Sequence, residues 1–210
     1  MHSNINLLIE PDYAAMSRKA AEVFAEALRE RPEGVFGFAT GGTPEGMYEN
    51  LIRMHRENGL DFSKMNAFNL DEYYPIKQND SQSYYYFMRE KLFSHVNVSP
   101  GHTHIPNGEA SDPAAECAAY DREIETYGGV DLQILGIGAN GHIGFNEPSE
   151  SFTSRTNYVA LTEITVQSNS RFFESLEQVP RHALTMGIRP IMMSGQIMLL
   201  CSGASKAEIL

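Results

Sequence analysis

Val130-Asp131-Leu132-Gln133-Ile134-Leu135-Gly136-Ile137 runs directly into Gly138-Ala139-Asn140-Gly141-His142-Ile143-Gly144-Phe145-Asn146-Glu147-Pro148. The first half is the clearest buried strand in the chain, because a short apolar run ended by glycine fits a strand covered on both faces. Four glycines between residues 136 and 144 exclude a helix or strand interior there. Glycine lets a ligand approach the main chain, so such a loop behind a strand indicates a small-molecule site. His142 and Glu147 within it could form a satisfied structural pair, but in a glycine-rich loop an imidazole held in one tautomer by a carboxylate points to proton transfer.

Working outward, strands alternate with helices. Met16, Ala20, Val23, Phe24, Ala27 and Leu28 recur at helical spacing after Pro11-Asp12 and stop at Arg31-Pro32-Glu33-Gly34. Val35 to Ala39 reads as a strand, followed by the turn Thr40-Gly41-Gly42-Thr43, with Thr43 as a candidate cap and Pro44 in the first turn of a helix. Further strands are expected at Met65 to Leu70, Asn157 to Leu161, Ala183 to Ile188 and Gln196 to Ser202, with a brief extended piece near Thr103 to Ile105. Helices are expected at Ser81 to Phe93 and from Asp112-Pro113 through Cys117, Tyr120 and Ile124. The alternation predicts a largely parallel sheet covered on both faces, with ligands outside the carboxyl ends of its strands. Thr40 to Thr43, Asp71-Glu72 and Asn140 to Glu147 all follow strands, which should bring them to one edge.

A chain of 210 residues is long enough for one well-buried core, and a single domain over residues 1–210 is expected. Residues Ser149 to Pro180 are less regular and could be a mobile lid over the site or a fixed helical insertion. With 16 basic against 27 acidic residues the net charge is −11, which argues against nucleic acid or an anionic membrane as partner. An anionic substrate would need local donors against that field. No signal-peptide pattern or membrane-length apolar window occurs, so a cytoplasmic protein is expected. Cys117 and Cys201 belong to no CxxC pair and read as buried, reduced thiols.

Two nucleotide motifs are near misses. Gly136-x-Gly138-x-x-Gly141 has the spacing of a dinucleotide fingerprint, but Gly144, Asn146 and Pro148 follow where a helix must open. Gly37 to Thr43 resembles a phosphate loop without its lysine. Thr40 to Thr43 is nevertheless a credible phosphate cradle, since amides at a helix N-terminus favour an anion, although an ordinary tight turn fits too. Arg171, in Asn169-Ser170-Arg171-Phe172, and Lys206, after the turn Ser202 to Ser205, can add formal charge. Asp71-Glu72 could simply cap a loop, but beside an apolar strand end one carboxylate can acquire a raised pKa and act as a general base. His95, His102 and His104 lack ligand-spaced acidic or thiol partners, so no metal site is expected.

Taken together, Thr40-Gly41-Gly42-Thr43-Pro44, Phe68-Asn69-Leu70-Asp71-Glu72-Tyr73, Gly141 to Pro148, Ser154-Arg155-Thr156 and Asn169-Ser170-Arg171-Phe172 resemble glucosamine-6-phosphate deaminases in order and spacing over nearly the whole chain. The resemblance implies a three-layer α/β/α, Rossmann-like fold and conversion of glucosamine 6-phosphate with water to fructose 6-phosphate and ammonia. It implies that His142, supported by Glu147 and Asn140, assists pyranose opening, and that Asp71 carries a proton between C2 and C1. Thr40, Gly41, Gly42, Thr43, Arg171 and Lys206 match the family's phosphate-binding positions. The partner so implied is a small amino sugar phosphate, with no metal or organic cofactor; monomer and homo-oligomer are both left open.

Some departures qualify the match. Asn140 stands where several members carry Asp, which predicts a shifted pH profile rather than loss of activity. Asn157 and Val159 stand where allosterically activated hexameric members carry basic residues, which argues against such activation here. Resembling proteins also continue beyond the segment matching Lys206 to Leu210, so further C-terminal elements are expected to be lacking. The alternatives are a 6-phosphogluconolactonase, against which Asn146-Glu147-Pro148 counts, and a non-catalytic sugar-phosphate sensor, which should carry a basic helical DNA-binding module.

Overall fold

A computed structural model describes residues 5–170 and 173–210. Helix α1 (Tyr13–Glu30) starts at Asp12, whose carboxylate accepts from the Ala15 amide at 2.7 Å. It leads through β1 (Val35–Phe38), α2 (Gly42–Asn58) and β2 (Asn66–Asn69) to β3 (Asp71–Tyr74). Then come α3 (Tyr84–Lys91), β4 (Thr103–His104), α4 (Pro113–Thr126) and β5 (Leu132–Leu135). The last third holds β6 (Asn157–Ala160), α5 (Glu163–Asn169), β7 (His182–Thr185), α6 (Ile188–Met192) and β8 (Gln196–Leu199).

Five strands form a parallel sheet in the order β4-β2-β1-β5-β8. One face is closed by α1, α2 and α3 through Phe24, Leu28, Tyr48, Leu51, Met88 and Leu92, which pack on Phe36 and Phe38. Tyr120 and Ile124 of α4, with Ile191 of α6, close the other over Val35, Phe68 and Leu135. Burial on both faces explains why these strands read as near-continuous apolar runs, and the expected mostly parallel, two-sided α/β architecture is found.

One part of the sequence reading needs correcting. Asn157 to Leu161 and Ala183 to Ile188 do contain strands, but these do not join the parallel sheet. With β3 they build a separate antiparallel sheet in the order β3-β7-β6, where Asp71 pairs Thr185 and Asn157 pairs Thr185 from the other side. Asp71-Glu72 is therefore no loop after β2: it opens a new strand. The two sheets meet at Leu70, whose amide donates to Phe38 O at 3.1 Å and whose carbonyl accepts from the Met186 amide at 2.7 Å. Strand propensity alone could not tell the sheets apart, because pairing partners are set by tertiary contacts. The segment 149–180 is likewise more regular than its composition suggests, since it carries β6 and α5. Cys117 is buried, with burial pushing its thiol up to about 11, whereas Cys201 is only partly buried. Among the described residues, no helix is long and apolar enough to cross a membrane.

Candidate active site

Because β2, β1, β5 and β8 are parallel and adjacent or nearly so, the segments that follow them leave from one edge of the sheet. These are Thr40 to Thr43, Asp71, Gly136 to Glu147 and Ser202 to Lys206. The sequence reading placed all four there, and direct contacts join the loop 136–147 to Asp71 and to Lys206.

Asp71 is buried and accepts no hydrogen bond from a described residue. Removal from water disfavours its charged form, and with neighbouring Glu72 this pushes its carboxyl up to about 8. Glu72 is spent differently. Its carboxylate accepts from the Tyr84 amide at 2.9 Å, the Tyr85 amide at 2.9 Å and the Tyr73 amide at 2.8 Å, so it holds the N-terminus of α3 beside Ser83. Burial outweighs those three bonds and leaves it raised to about 7. Of the acidic pair, only Asp71 remains free for chemistry.

The loop behind β5 folds as the sequence requires, in turns. The Gly138 amide donates to His142 O at 2.9 Å, and the His142 ring lies flat on Gly138, where any side chain would overlap it. Gly144, at φ +59°, lies against Asp71: a methyl group there would stand 3.1 Å from Oδ2 and 3.0 Å from Thr185 Oγ1. The Asn146 side chain donates to Ile143 O at 3.0 Å and Met186 O at 2.8 Å, while the Phe145 amide donates to Thr185 Oγ1 at 3.1 Å. The bonds to Met186 O and Thr185 Oγ1 tie the loop to the end of β7.

His142 Nδ1 is buried without a hydrogen bond among the described residues, 3.8 Å from Glu147 Oε2. Burial lowers its pKa, Glu147 opposing and Lys206 assisting that shift. Asn140 holds both partners: its Nδ2 donates to Glu147 Oε2 at 2.6 Å and its Oδ1 accepts from the His142 amide at 3.2 Å. Glu147 Oε1 accepts from Thr165 Oγ1 at 2.8 Å, with Thr162 Oγ1 at 3.5 Å.

At the other end of the site, α2 begins at Gly42 with Gly41 as its cap, so Thr43 lies inside the first turn and is not the cap. Pro44 does sit in that turn, as expected. The amides of Gly42 and Thr43 donate to no described residue. Lys206, in the short 3-10 turn Ala204–Lys206, donates through Nζ to Ile137 O at 2.7 Å, which brings a cation onto the loop behind β5. Arg171 lies outside the described residues. Among those described, no group of three or more His, Cys, Asp and Glu is placed to hold a metal. His104 is instead stacked on Phe68, centroids 4.3 Å apart, with Nδ1 2.8 Å from Glu123.

Sequence reasoning missed Thr162, Thr165, Thr185 and the Asn146 side chain. Thr162, two residues past the end of β6 at Ala160, is the N-cap of α5 and accepts from the Thr165 amide at 3.2 Å. A Thr followed by Glu after a strand is the signal that could have revealed that helix start. Nothing local announces Thr185, because its role comes from strand pairing.

The chain belongs to the family described as glucosamine-6-phosphate isomerases/6-phosphogluconolactonase, whose pattern matches residues 11–210. Within it the chain is 51% identical over 204 residues to a glucosamine-6-phosphate deaminase of Thermoanaerobacter sp. (strain X514), covering 97% of this chain and 81% of that protein. It is 50% identical to one from Clostridium perfringens (strain SM101 / Type A), covering 98% and 85% respectively. A solved monomeric glucosamine-6-phosphate deaminase superposes with a TM-score of 0.95 at 46% identity, covering 98% of this chain and 85% of that one. The 6-phosphogluconolactonase of Thermotoga maritima shares the fold, with a TM-score of 0.72 at 20% identity, covering 97% and 86%.

Proposed function

We propose that this chain deaminates glucosamine 6-phosphate, adding water and releasing fructose 6-phosphate and ammonia. The observation that carries the reading is the placement of Asp71: a buried carboxylate, raised to about 8, directly under the loop that bears His142 and Glu147. The relatives near 50% identity bear the same activity in their names.

In this reading the unbonded amides of Gly42 and Thr43, within the turn Thr40 to Thr43, receive the phosphate together with Lys206 and Arg171. A helix start offers an anion free N-H groups, and Lys206 supplies the local charge that the overall −11 withholds. His142 takes the proton from the C1 hydroxyl and returns one to O5. The C1–O5 bond breaks and an open-chain aldehyde results. Glu147, held by Asn140, faces Nδ1 and stabilises the imidazolium while the proton is carried.

Asp71 then removes the proton at C2 while O1 takes one from the substrate's own ammonium group, giving an enolamine, and Asp71 delivers its proton to C1, leaving a hydroxymethyl group at C1 and an iminium at C2. Water adds there and ammonia departs, which closes the balance. A carboxylate titrating near neutrality suits this step, because it is basic enough to take a carbon-bound proton and acidic enough to return it.

The test is to incubate folded protein, verified by a thermal melt, with glucosamine 6-phosphate and to assay both products. Absence of fructose 6-phosphate and ammonia overturns the reading. Hydrolysis of 6-phosphogluconolactone by the same sample without deamination would assign the chain to the other branch of its family.

A further inference from the structure

We infer that Thr165 is a positioning residue for the His142–Glu147 pair, so that α5 forms part of the ring-opening device. The inference rests on the deaminase reading for its catalytic meaning, but its geometry stands apart from it. The cap of α5 is complete without the Thr165 hydroxyl, since Thr162 Oγ1 already accepts from the Thr165 amide at 3.2 Å. That hydroxyl is buried, and its 2.8 Å bond goes to Glu147 Oε1. Thr162 Oγ1 lies 2.9 Å from Thr165 Oγ1, so the hydroxyls form a short chain ending on the carboxylate, each link strengthening the next.

Glu147 is thereby gripped at both oxygens from two different elements. Asn140 holds Oε2 from the loop and Thr165 holds Oε1 from α5. Both donors are neutral, so neither cancels the carboxylate's charge. Oε2 is kept 3.8 Å from His142 Nδ1, about 1 Å beyond a hydrogen bond. Without the Thr165 bond, Oε1 loses its buried anchor and the carboxylate can swing toward solvent, which its side chain already reaches at 25% exposure. The charges acting on His142 are Glu147 on its own loop and Lys206 from the turn after β8; Asp71, against Gly144, is pushed up to about 8 and keeps its proton where the imidazole titrates. Glu163, at the first position of α5, pairs with Arg181 at 2.9 Å. Loosening Glu147 therefore leaves Lys206 with more weight on the imidazole, and its midpoint should fall.

The experiment titrates His142 by NMR in the wild type, Thr165→Val, Thr165→Ser and Glu147→Gln, alongside kcat and KM for ammonia release. We expect Thr165→Val to move the His142 midpoint to lower pH, toward the Glu147→Gln value. Its kcat should fall about tenfold or more, with KM within about twofold, while Thr165→Ser keeps both near wild type; a tenfold loss is about 1.4 kcal/mol. A Val variant with the wild-type midpoint overturns the inference. So does a Ser variant that loses as much as Val, because that outcome reports packing and not the hydroxyl. If the wild type releases no ammonia while the midpoint still shifts with Val alone, the function fails and the positioning stands.

Discussion

Gly144 lies on the carboxylate of Asp71, close enough that a methyl group would stand 3.1 Å from Oδ2. Through this contact the loop that carries the imidazole roofs the buried carboxylate proposed above as the carbon base. Replacing Gly144 by Ala should therefore disturb chemistry more than folding. The φ of +59° costs an L-residue about 1–2 kcal/mol, and the added methyl pushes on Asp71 or Thr185. We expect a melting temperature lower by a few degrees and kcat reduced about tenfold or more, read from a melt and an ammonia assay on one preparation.

Asp71→Asn should stabilise the protein while abolishing turnover. The folded pKa of Asp71 is raised from 3.8 to about 8, so the native state holds this proton more tightly than the unfolded chain. That stabilisation is complete below the unfolded value and is lost as pH rises through about 8. The amide never ionises, so the melting temperature of Asp71→Asn should exceed that of wild type by a margin that widens across this window. Equal curves at every pH would refute the burial argument. Hydrogen exchange at C2 of the substrate should vanish with binding largely kept.

For His142 the sign is opposite. Burial lowers its pKa below 6.5, so its contribution is present above that value and is lost as pH falls through the folded pKa. Melting temperatures of wild type should drop faster than those of His142→Gln as pH is lowered from about 6.5. Activity from the cyclic sugar should be lost in the variant, in line with a general acid-base effect of about 100-fold or more.

Glu72→Gln separates the two adjacent carboxylates. Three amides donate to Glu72, and the variant offers one oxygen where there were two. An amide left buried without an acceptor costs about 1–3 kcal/mol, so stability should fall by that order. Exchange at C2 should persist, because Asp71 is untouched. Loss of exchange with an unchanged melt would make Glu72 the base.

The parallel core was legible because strands covered on both faces leave an unbroken apolar signature, as at Val35 to Phe38 and Leu132 to Leu135. His142, Glu147 and Asp71 stood out because glycine and charge beside an apolar run have few structural uses. What stayed hidden depends on pairing. Thr185 looks like any strand threonine until β7 is set against β3 and the loop at Phe145 bonds to it. The difference between Asp71 and Glu72 was equally silent, since both are acids at a strand end until α3 arrives to claim one. Thr165 became visible only when α5 packed its first turn on Glu147.

The seam at Leu70 has a consequence beyond this reaction. Its amide is bonded to one sheet and its carbonyl to the other, so the next residue is located by main-chain contacts that no side chain supplies. Position 71 is thus a socket: what occupies it can be exchanged while its coordinates stay put. A scaffold with such a socket can trade one chemistry for another by point substitution without first relearning how to fold.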